Sequence, residues 1–215
     1  MKSEQGWKSH QDDGEIEFLT FSTLPYEEGL LMQRSLNRKM MEDRREYVIL
    51  CEHEPVYTCG IHHEGYPENI DPLYLIERGG GVTYHGPGQI TCYLLIDLGK
   101  RHMNILDLIN FIHQSEIVYL KHYSVHAVSQ LGKKTGVWVN DRKISSTGFS
   151  LRAGFTMHGI GLNIQIEMDR FSRINPCGFD SAIMTSLSVI TGKKFNMEQE
   201  KKLFSEIIKN GMGLY

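Results

Sequence analysis

The chain has 215 residues, of which 40% are hydrophobic and 23% charged, and its formal net charge is −3 at pH 7. This length fits one domain that buries roughly 70% of its unfolded surface. The charge shows no basic excess, which argues against nucleic acid as a partner. No apolar run approaches the roughly 20 residues that span a bilayer, and no signal peptide is evident. The four cysteines form no C-x-x-C pair, which argues against a zinc ribbon or a redox dithiol. We therefore expect a cytoplasmic protein that binds neither nucleic acid nor membrane.

Hydrophobic periodicity predicts alternating strands and helices. Residues 1–15 are polar and aperiodic and are expected to be a flexible leader, which leaves a single domain over 16–215. The predicted elements, in chain order, are a strand over 16–22, a helix from Pro25 into 42–46, strands over 47–51, 56–60 and 90–98, a helix from Asn104 to about Tyr123, a strand over 125–128, a hairpin over 136–148, a strand over 155–166 and a helix over 197–209. Strands outnumber helices, and there is no repeat and no nucleotide-binding glycine motif. The pattern predicts a mixed α/β (α+β) fold.

One stretch stands out, residues 78–93, which reads R-G-G-G-V-T-Y-H-G-P-G-Q-I-T-C-Y. Its glycines and its proline predict that the first half is neither an ordinary helix nor an ordinary strand. Backbone N–H groups of residues 79–81 are candidates for an anion-binding concavity. An elaborate hairpin loop is the alternative. The apolar run 90–98 reads as a buried strand, and a polar glycine loop that leads into a core strand is typical of a binding site.

Cys177 is the candidate nucleophile, because Pro176 and Gly178 would present its thiol on a turn. The alternative is that it is a small buried hydrophobe, the usual role of a free cysteine. Cys51 and Cys92 lie in apolar strands and read as structural, and Cys59 is intermediate.

A nucleophilic thiol needs a base or a cation beside it. The candidates are His85, His158 and Lys143, although Lys143 follows a predicted turn, where a solvated charge is the commoner interpretation. The adjacent His62 and His63 would point opposite ways in an extended segment, and nothing near them completes a ligand set. No metal site is expected.

Five motifs in a fixed order resemble the octanoyltransferases of the lipoate pathway (lipoyl/octanoyl transferases). They are E-H-E-P-V-Y-T-C-G at 52–60, R-G-G-G-V-T-Y-H-G-P-G-Q at 78–89, G-V-W-V-N-D-R-K-I-S-S-T-G at 136–148, H-G-I-G-L-N at 158–163 and N-P-C-G at 175–178. The likeness covers residues 17–190, and the ordered set is far more specific than any single motif.

The resemblance implies a fold, a reaction and partners. The fold is a mixed-sheet domain similar to the catalytic domains of biotin–protein ligases and lipoate–protein ligases. The reaction moves an octanoyl group from acyl carrier protein to a lysine of an apo lipoyl domain, in 2-oxoacid dehydrogenases or in the glycine cleavage H protein. The intermediate is a cysteine thioester, and neither ATP nor a metal cofactor is needed.

The resemblance also assigns residues. Cys177 matches the acyl-accepting cysteine and Lys143 the lysine that tunes it. The implied substrate-binding residues are Arg78, Gly79, Gly80, Gly81, Val82, Thr83, Tyr84, His85, Ser146, Thr147, Gly148, Gly159, Ile160 and Gly161. His158 and Gln89 are supporting candidates. We expect the set to line one pocket, with a narrow, mainly apolar tunnel for about eight carbons, since each buried CH₂ contributes roughly 0.8 kcal/mol.

The sequence departs from the family pattern at three places. Cys59 replaces the usual Leu, residues 145–147 (S-S-T) replace mostly small apolar residues, and Gly161 replaces an Ala-like residue. These changes leave the chain-length preference open. Two rival functions also stay open: an ATP-dependent lipoate or biotin ligase, and a non-catalytic domain that binds acyl groups or lipoyl domains.

Overall fold

The computed structural model describes residues 16–61, 70, 72–174 and 183–212. The strands are β1 (Ile16–Thr23), β2 (Glu46–Glu52), β3 (Val56–Cys59), β4 (Leu73–Leu75), β5 (Val82–His85), β6 (Gln89–Leu95), β7 (Val128–Gln130), β8 (Gly136–Val139), β9 (Arg142–Arg152) and β10 (Phe155–Asn163). The α-helices are α1 (Tyr26–Asp43), α2 (Ile105–His122), α3 (Leu187–Thr191) and α4 (Met197–Gly211), with short 3₁₀ helices at Gly132–Lys134 and Met168–Arg173.

The strands form two sheets. The larger sheet has seven strands in the order β1-β2-β6-β10-β9-β8-β7, and the smaller has the order β4-β3-β5. Both are mixed, because β1 pairs parallel to β2 and β4 pairs parallel to β3. The chain leaves the large sheet for the small one at residues 53–55, where Pro55 cannot donate to a ladder.

The large sheet buries both faces. On one face, alternate residues of β2 and β6, such as Val48 and Leu94, join the main core with α2 and α4. On the other face, residues such as Ile49 and Tyr93 pack with the segment that contains α1. Two buried faces explain why β2 and β6 are buried at every position and read as continuous apolar runs rather than alternating ones.

Most predicted elements are confirmed. The helix from Asn104 has the predicted N-cap, in which the Asn104 side chain and Asp107 form a reciprocal capping box. The hairpin turns at Asn140-Asp141, and β8, β9 and β10 are antiparallel neighbours. The strand placed at 125–128 begins instead at Val128, and β4 and α3 were not predicted.

One prediction about the glycine stretch was wrong. Its first half does contain a strand, β5, because the glycine run ends at Gly81 and the next four residues pair with β3, Thr83 opposite Thr58. The predicted leader lies outside the described residues. Among the helices that the structure describes, none is long and apolar enough to cross a membrane.

Candidate functional site

A pocket lies between the large sheet and the small sheet. Apolar atoms form most of its lining, as is typical of small-molecule sites. The lining residues are Tyr26, Ile76, Arg78, Thr83, His85, Thr91, Tyr93, Ser146, Thr147, Gly148, His158, Gly159, Ile160 and Gly161. Three separate stretches of the sequence, near residues 85, 147 and 160, therefore meet at one place.

Glycines of β9 and β10 form part of the pocket wall. Gly159 pairs with Gly148, and Gly161 pairs with Ser146, so the three glycines share one face of the sheet. A Cβ on Gly148 would stand 2.8 Å from the carbonyl oxygen of Gly79, and one on Gly159 would stand 2.1 Å from that of Cys92. Side chains at these two positions would collide with backbone, which has little room to move.

A β-bulge in β9 brings Lys143 to the same face. Ser146 pairs with Gly136 and Lys143 pairs with Trp138, so the four residues 143–146 of β9 lie across from the three residues 136–138 of β8, and Ile144 is the extra residue. In a regular strand, residues three apart point to opposite faces. Because cross-strand partners share a face and Gly136 and Trp138 are two apart, the bulge puts Lys143 and Ser146 on one face.

Lys143 is buried, although it lies close to the hairpin turn. It is 3% exposed, and its ammonium lies 5.9 Å from the centroid of the Trp138 ring. Its carbonyl oxygen accepts a 2.9 Å hydrogen bond from the Thr185 N–H, and it bridges to Met184. The solvated charge that a turn position suggests is therefore wrong here, because residues 184–185 cover the hairpin.

The Lys143 charge acts on two side chains of α2, His113 and Glu116, on the other face of the sheet. Burial, together with this charge, lowers the pKa of His113 on α2 to about 4. Burial raises the pKa of Glu116 to about 8, and the Ser145 hydroxyl and the Lys143 charge oppose that rise. Neither carboxylate oxygen of Glu116 has a well-formed hydrogen bond in the described part of the chain.

Arg78 holds the glycine loop against β3. Its guanidinium donates 2.9 Å hydrogen bonds to the carbonyl oxygens of Gly79 and Thr58 and to the Thr58 hydroxyl. The Gly79 N–H donates to the carbonyl oxygen of Phe149 at 2.9 Å. This N–H is therefore engaged and does not contribute to the anion-binding concavity suggested by the sequence.

His85 reaches the pocket as a neutral imidazole. Its Nδ1 lies 2.6 Å from Oε1 of Gln89, and because an amide oxygen only accepts, Nδ1 carries the proton. Burial, with a smaller contribution from His53, lowers the pKa of His85 to about 3. Its Nε2 makes no hydrogen bond to any residue within the described ranges, and it carries a lone pair.

His158 adopts an unusual backbone conformation beside the pocket. Its φ is +64°, a left-handed value that is uncommon for a non-glycine residue. The His158 N–H donates a 3.0 Å hydrogen bond to Oε1 of Gln33. Burial lowers the pKa of its buried imidazole to about 4, against the opposing charge of Glu77.

Some residues assigned by resemblance lie elsewhere, and Lys143 shares the pocket face of the sheet but is not among the lining residues. The side chains of Val82 and Tyr84 pack into a separate cluster with Phe171, because alternate residues of β5 point away from the pocket. Gly79, Gly80 and Gly81 form the loop before β5 and are not in the lining. Gln89 is buried behind His85.

Cys177, His62 and His63 lie outside the described residues, so the separation of Lys143 and Cys177 stays a prediction. Within the part of the chain that is described, no three metal-ligating side chains cluster. Cys59, which the sequence left intermediate, is buried, as are Cys51 and Cys92.

Several lining residues were missed by sequence reasoning. Tyr26 begins α1 and Ile76 follows β4, and neither belongs to a polar motif that would draw attention to it. Thr91 and Tyr93 read as core residues, yet they share the face of Gly161 and Gly159 because they pair with them. The only signal for these two was their place within the glycine stretch.

Sequence similarity is extensive. Residues 25–209 match the family described as "Lipoyl protein ligase A/B catalytic domain". An octanoyltransferase of Syntrophotalea carbinolica is 37% identical over 191 residues, which cover 86% of this chain and 89% of that protein. An octanoyltransferase of Vibrio cholerae is 40% identical over 170 residues, 76% of each chain.

Solved structures with low sequence identity share the fold. A lipoate-protein ligase A bound with ATP superposes with a TM-score of 0.71 at 13% identity, covering 93% of this chain and 86% of that one. A biotin protein ligase from Aquifex aeolicus gives a TM-score of 0.53 at 12% identity, with 92% and 68% covered. The predicted relation to the catalytic domains of these two ligase classes is confirmed at the level of fold.

Proposed function

The chain belongs to the family of the lipoyl protein ligase A/B catalytic domain, and from that premise we propose that it is an octanoyltransferase of lipoate biosynthesis. The donor is octanoyl-acyl carrier protein and the acceptor is a lysine of an apo lipoyl domain. The acceptor protein is a 2-oxoacid dehydrogenase or the glycine cleavage H protein. No ATP or metal takes part, and the enzyme works in the cytoplasm.

The similarity to octanoyltransferases, 37% identity over 86% of this chain, carries the proposal. The geometry supports it, because a mostly apolar pocket shares one sheet face with Lys143. An acyl chain is stabilised by such a lining, and a buried cation near its reacting end suits thiolate chemistry.

In the first step, Lys143 as a neutral amine takes the proton of Cys177, and the thiolate, paired with the ammonium so formed, attacks the thioester carbonyl of the donor. The new bond joins the cysteine sulfur to the octanoyl carbon, and the bond from that carbon to the carrier sulfur breaks. Lys143 returns the proton to the leaving carrier thiolate. An unperturbed thiol has a pKa of about 8.5, and an adjacent cation lowers it.

In the second step, the acceptor lysine amine attacks the carbonyl of the Cys177 thioester. A C–N bond forms, the C–S bond breaks, and the proton released by the amine returns to the cysteine sulfur through Lys143. Exchange of one thioester for another is nearly balanced, and the final amide makes the transfer downhill. The two half-reactions predict ping-pong kinetics.

The decisive experiment mixes the protein with octanoyl-acyl carrier protein and an apo lipoyl domain, with and without ATP. The lipoyl domain should gain one octanoyl group in either case. Transfer only from free octanoate with ATP would identify a ligase, and binding without transfer would identify a non-catalytic domain.

The covalent intermediate has its own test. Without acceptor, the protein should gain one octanoyl group on Cys177, released by hydroxylamine, and Cys177→Ser should abolish both the adduct and the transfer. Cys59→Ser, at a buried cysteine, is the matched control and should keep both. Lys143→Met should slow acylation, and higher pH should restore the part that reflects thiol ionisation. Normal transfer by Cys177→Ser would mean that the acceptor lysine attacks the donor directly.

A further inference from the structure

We propose that Asn163 is a positioning residue for this reaction. It joins the pocket residue His85, through Gln89, to the main chain of Lys143, through Thr185. The inference rests on the proposed octanoyl transfer, in which Lys143 moves protons. Sequence reasoning gave Asn163 no role beyond its place in a motif.

Four hydrogen bonds form the connection. His85 Nδ1 donates to Gln89 Oε1 at 2.6 Å, and Gln89 Nε2 donates to Asn163 Oδ1 at 2.9 Å. Asn163 Nδ2 donates to the carbonyl oxygen of Thr185 at 3.0 Å, and the Thr185 N–H donates to the carbonyl oxygen of Lys143 at 2.9 Å. The series therefore runs without a break from the small sheet to the hairpin that carries Lys143.

Backbone carbonyls fix the direction of each bond. Gln89 Nε2 also faces the carbonyl oxygen of Tyr84, at 3.3 Å, and Asn163 faces that of Thr185. A carbonyl oxygen only accepts, so both amides must present their NH₂ groups to these atoms. The Gln89 oxygen is then turned to His85, and His85 must hold its proton on Nδ1. One tautomer follows, with the lone pair of Nε2 left for the substrate.

Burial makes this arrangement rigid. Gln89, Asn163 and Thr185 are 2%, 0% and 1% exposed, so water cannot replace a lost partner. Gln89 and Asn163 are also directly opposed on β6 and β10. A Cβ at Gly161 would lie 2.9 Å from Gln89 Oε1, so the amide lies across a position without a side chain.

A carboxylate in place of the Asn163 amide tests the link to Lys143. In Asn163→Asp one oxygen still accepts from Gln89, but the other faces the Thr185 carbonyl and repels it when ionised. We expect kcat to fall at least tenfold at pH 8, because small misplacements of reacting groups are costly, while KM for the carrier changes less than twofold. When the new carboxyl is protonated it can donate to Thr185, so the ratio of variant to wild-type kcat should rise as pH falls.

A second variant tests the hydrogen bond between Gln89 and His85 through the pKa of His85, without any assay of activity. Gln89→Glu sets a carboxylate against Nδ1 and should raise the pKa of His85 from about 3 into the range where NMR follows its ring protons between pH 5 and 8. Tyr26 stacks on the His85 ring and His53 meets it edge-on, and the charges of Arg78 and His158 also act on it. The wild-type imidazole should not titrate in that range.

The matched control is Gln165→Glu, because Gln165 also bridges two segments by hydrogen bonds in both directions, to the main chain of Phe195 at 3.0 Å. It should lower stability without changing kcat or its pH dependence. A folded Asn163→Asp protein with wild-type kcat, or with losses equal to those of the control, overturns the proposal.

If Asn163→Asp does not fold, the His85 titration decides, and an unshifted pKa in Gln89→Glu overturns the proposal. If wild-type protein transfers no octanoyl group, the proposed function fails and the inferred role in catalysis fails with it. The His85 titration then judges the hydrogen bonds alone.

Discussion

Glu116 should make the protein less stable as the pH rises from 6 to 8. The side chain is fully buried beneath β9, and its pKa rises from 4.5 to about 8 on folding, chiefly because of burial. Between these values the folded protein holds a proton that the unfolded chain has released. The free energy of unfolding therefore falls with pH in this window, by up to ~1.4 kcal/mol for each pH unit.

The size of the effect follows from the two pKa values. From pH 6 to pH 8 the Glu116 contribution should cost about 2 kcal/mol, because the slope flattens as the folded carboxyl itself begins to ionise near pH 8. Glu116→Gln removes the titration but keeps the shape of the side chain. The variant should gain about 2 kcal/mol over wild type between pH 6 and pH 8, whatever its stability at pH 6.

Urea unfolding of both proteins at the two pH values measures this quantity, and the difference of differences cancels every other titrating group. The nearby Lys143 charge and the Cys92 thiol, whose pKa Glu116 helps to raise, are present in both proteins. Parallel pH profiles for the two proteins would refute the reasoning, since Glu116 would then be ionised in the folded state or solvated.

Three further outcomes are expected. Gly148→Ala should lower the free energy of unfolding by about 1–3 kcal/mol, since its Cβ would lie 2.8 Å from the Gly79 carbonyl oxygen. In the control Gly79→Ala, the Cβ meets nothing closer than 3.6 Å, so the free energy of unfolding should not fall. Equal thermal midpoints for the two variants would contradict this. Lys201→Met should lower the free energy of unfolding, measured in urea, by about 3–5 kcal/mol, because it removes the cation that pairs with the Glu52 carboxylate. Lys202→Met, at the neighbouring exposed position, should change it little. Acidification below pH 6.5 should destabilise the protein steeply, because buried imidazoles with pKa values of about 3 to 4 stay neutral in the folded protein but gain protons in the unfolded chain. Each imidazole should lower the free energy of unfolding by up to ~1.4 kcal/mol per pH unit. A free energy of unfolding that stays constant down to pH 5 would exclude this. These imidazoles are His53, His85, His113 and His158.

The sequence predicts local elements well where one interaction decides them. The N-cap at Asn104 is set by residues within one turn, and the turn at Asn140 follows from a residue that tolerates positive φ, here +54°. The separation of the strands at Pro55 is equally local. Each of these features depends on residues that are neighbours in the chain.

The composition of the pocket could be predicted only in part. The glycine motifs point to close backbone contacts, and the structure has them at Gly148 and Gly159. The pocket itself lies between two sheets, and the pairing of β5 with β3 is a long-range choice that no local pattern specifies. Tyr26 and Ile76 enter the lining through that packing alone.

The placement of Lys143 shows why a motif is not a geometry. The spacing of Lys143 and Ser146 in a regular strand predicts opposite faces, so the sequence would put the cation on the far side of the sheet from the pocket. The extra residue Ile144 reverses this, and it arises from the register between β8 and β9. The bulge brings a cation to the pocket face while Ile144 itself joins the main core. Removing it, by deleting Ile144, should therefore turn Lys143 away from the pocket face of the sheet even though every residue of the proposed chemistry is kept.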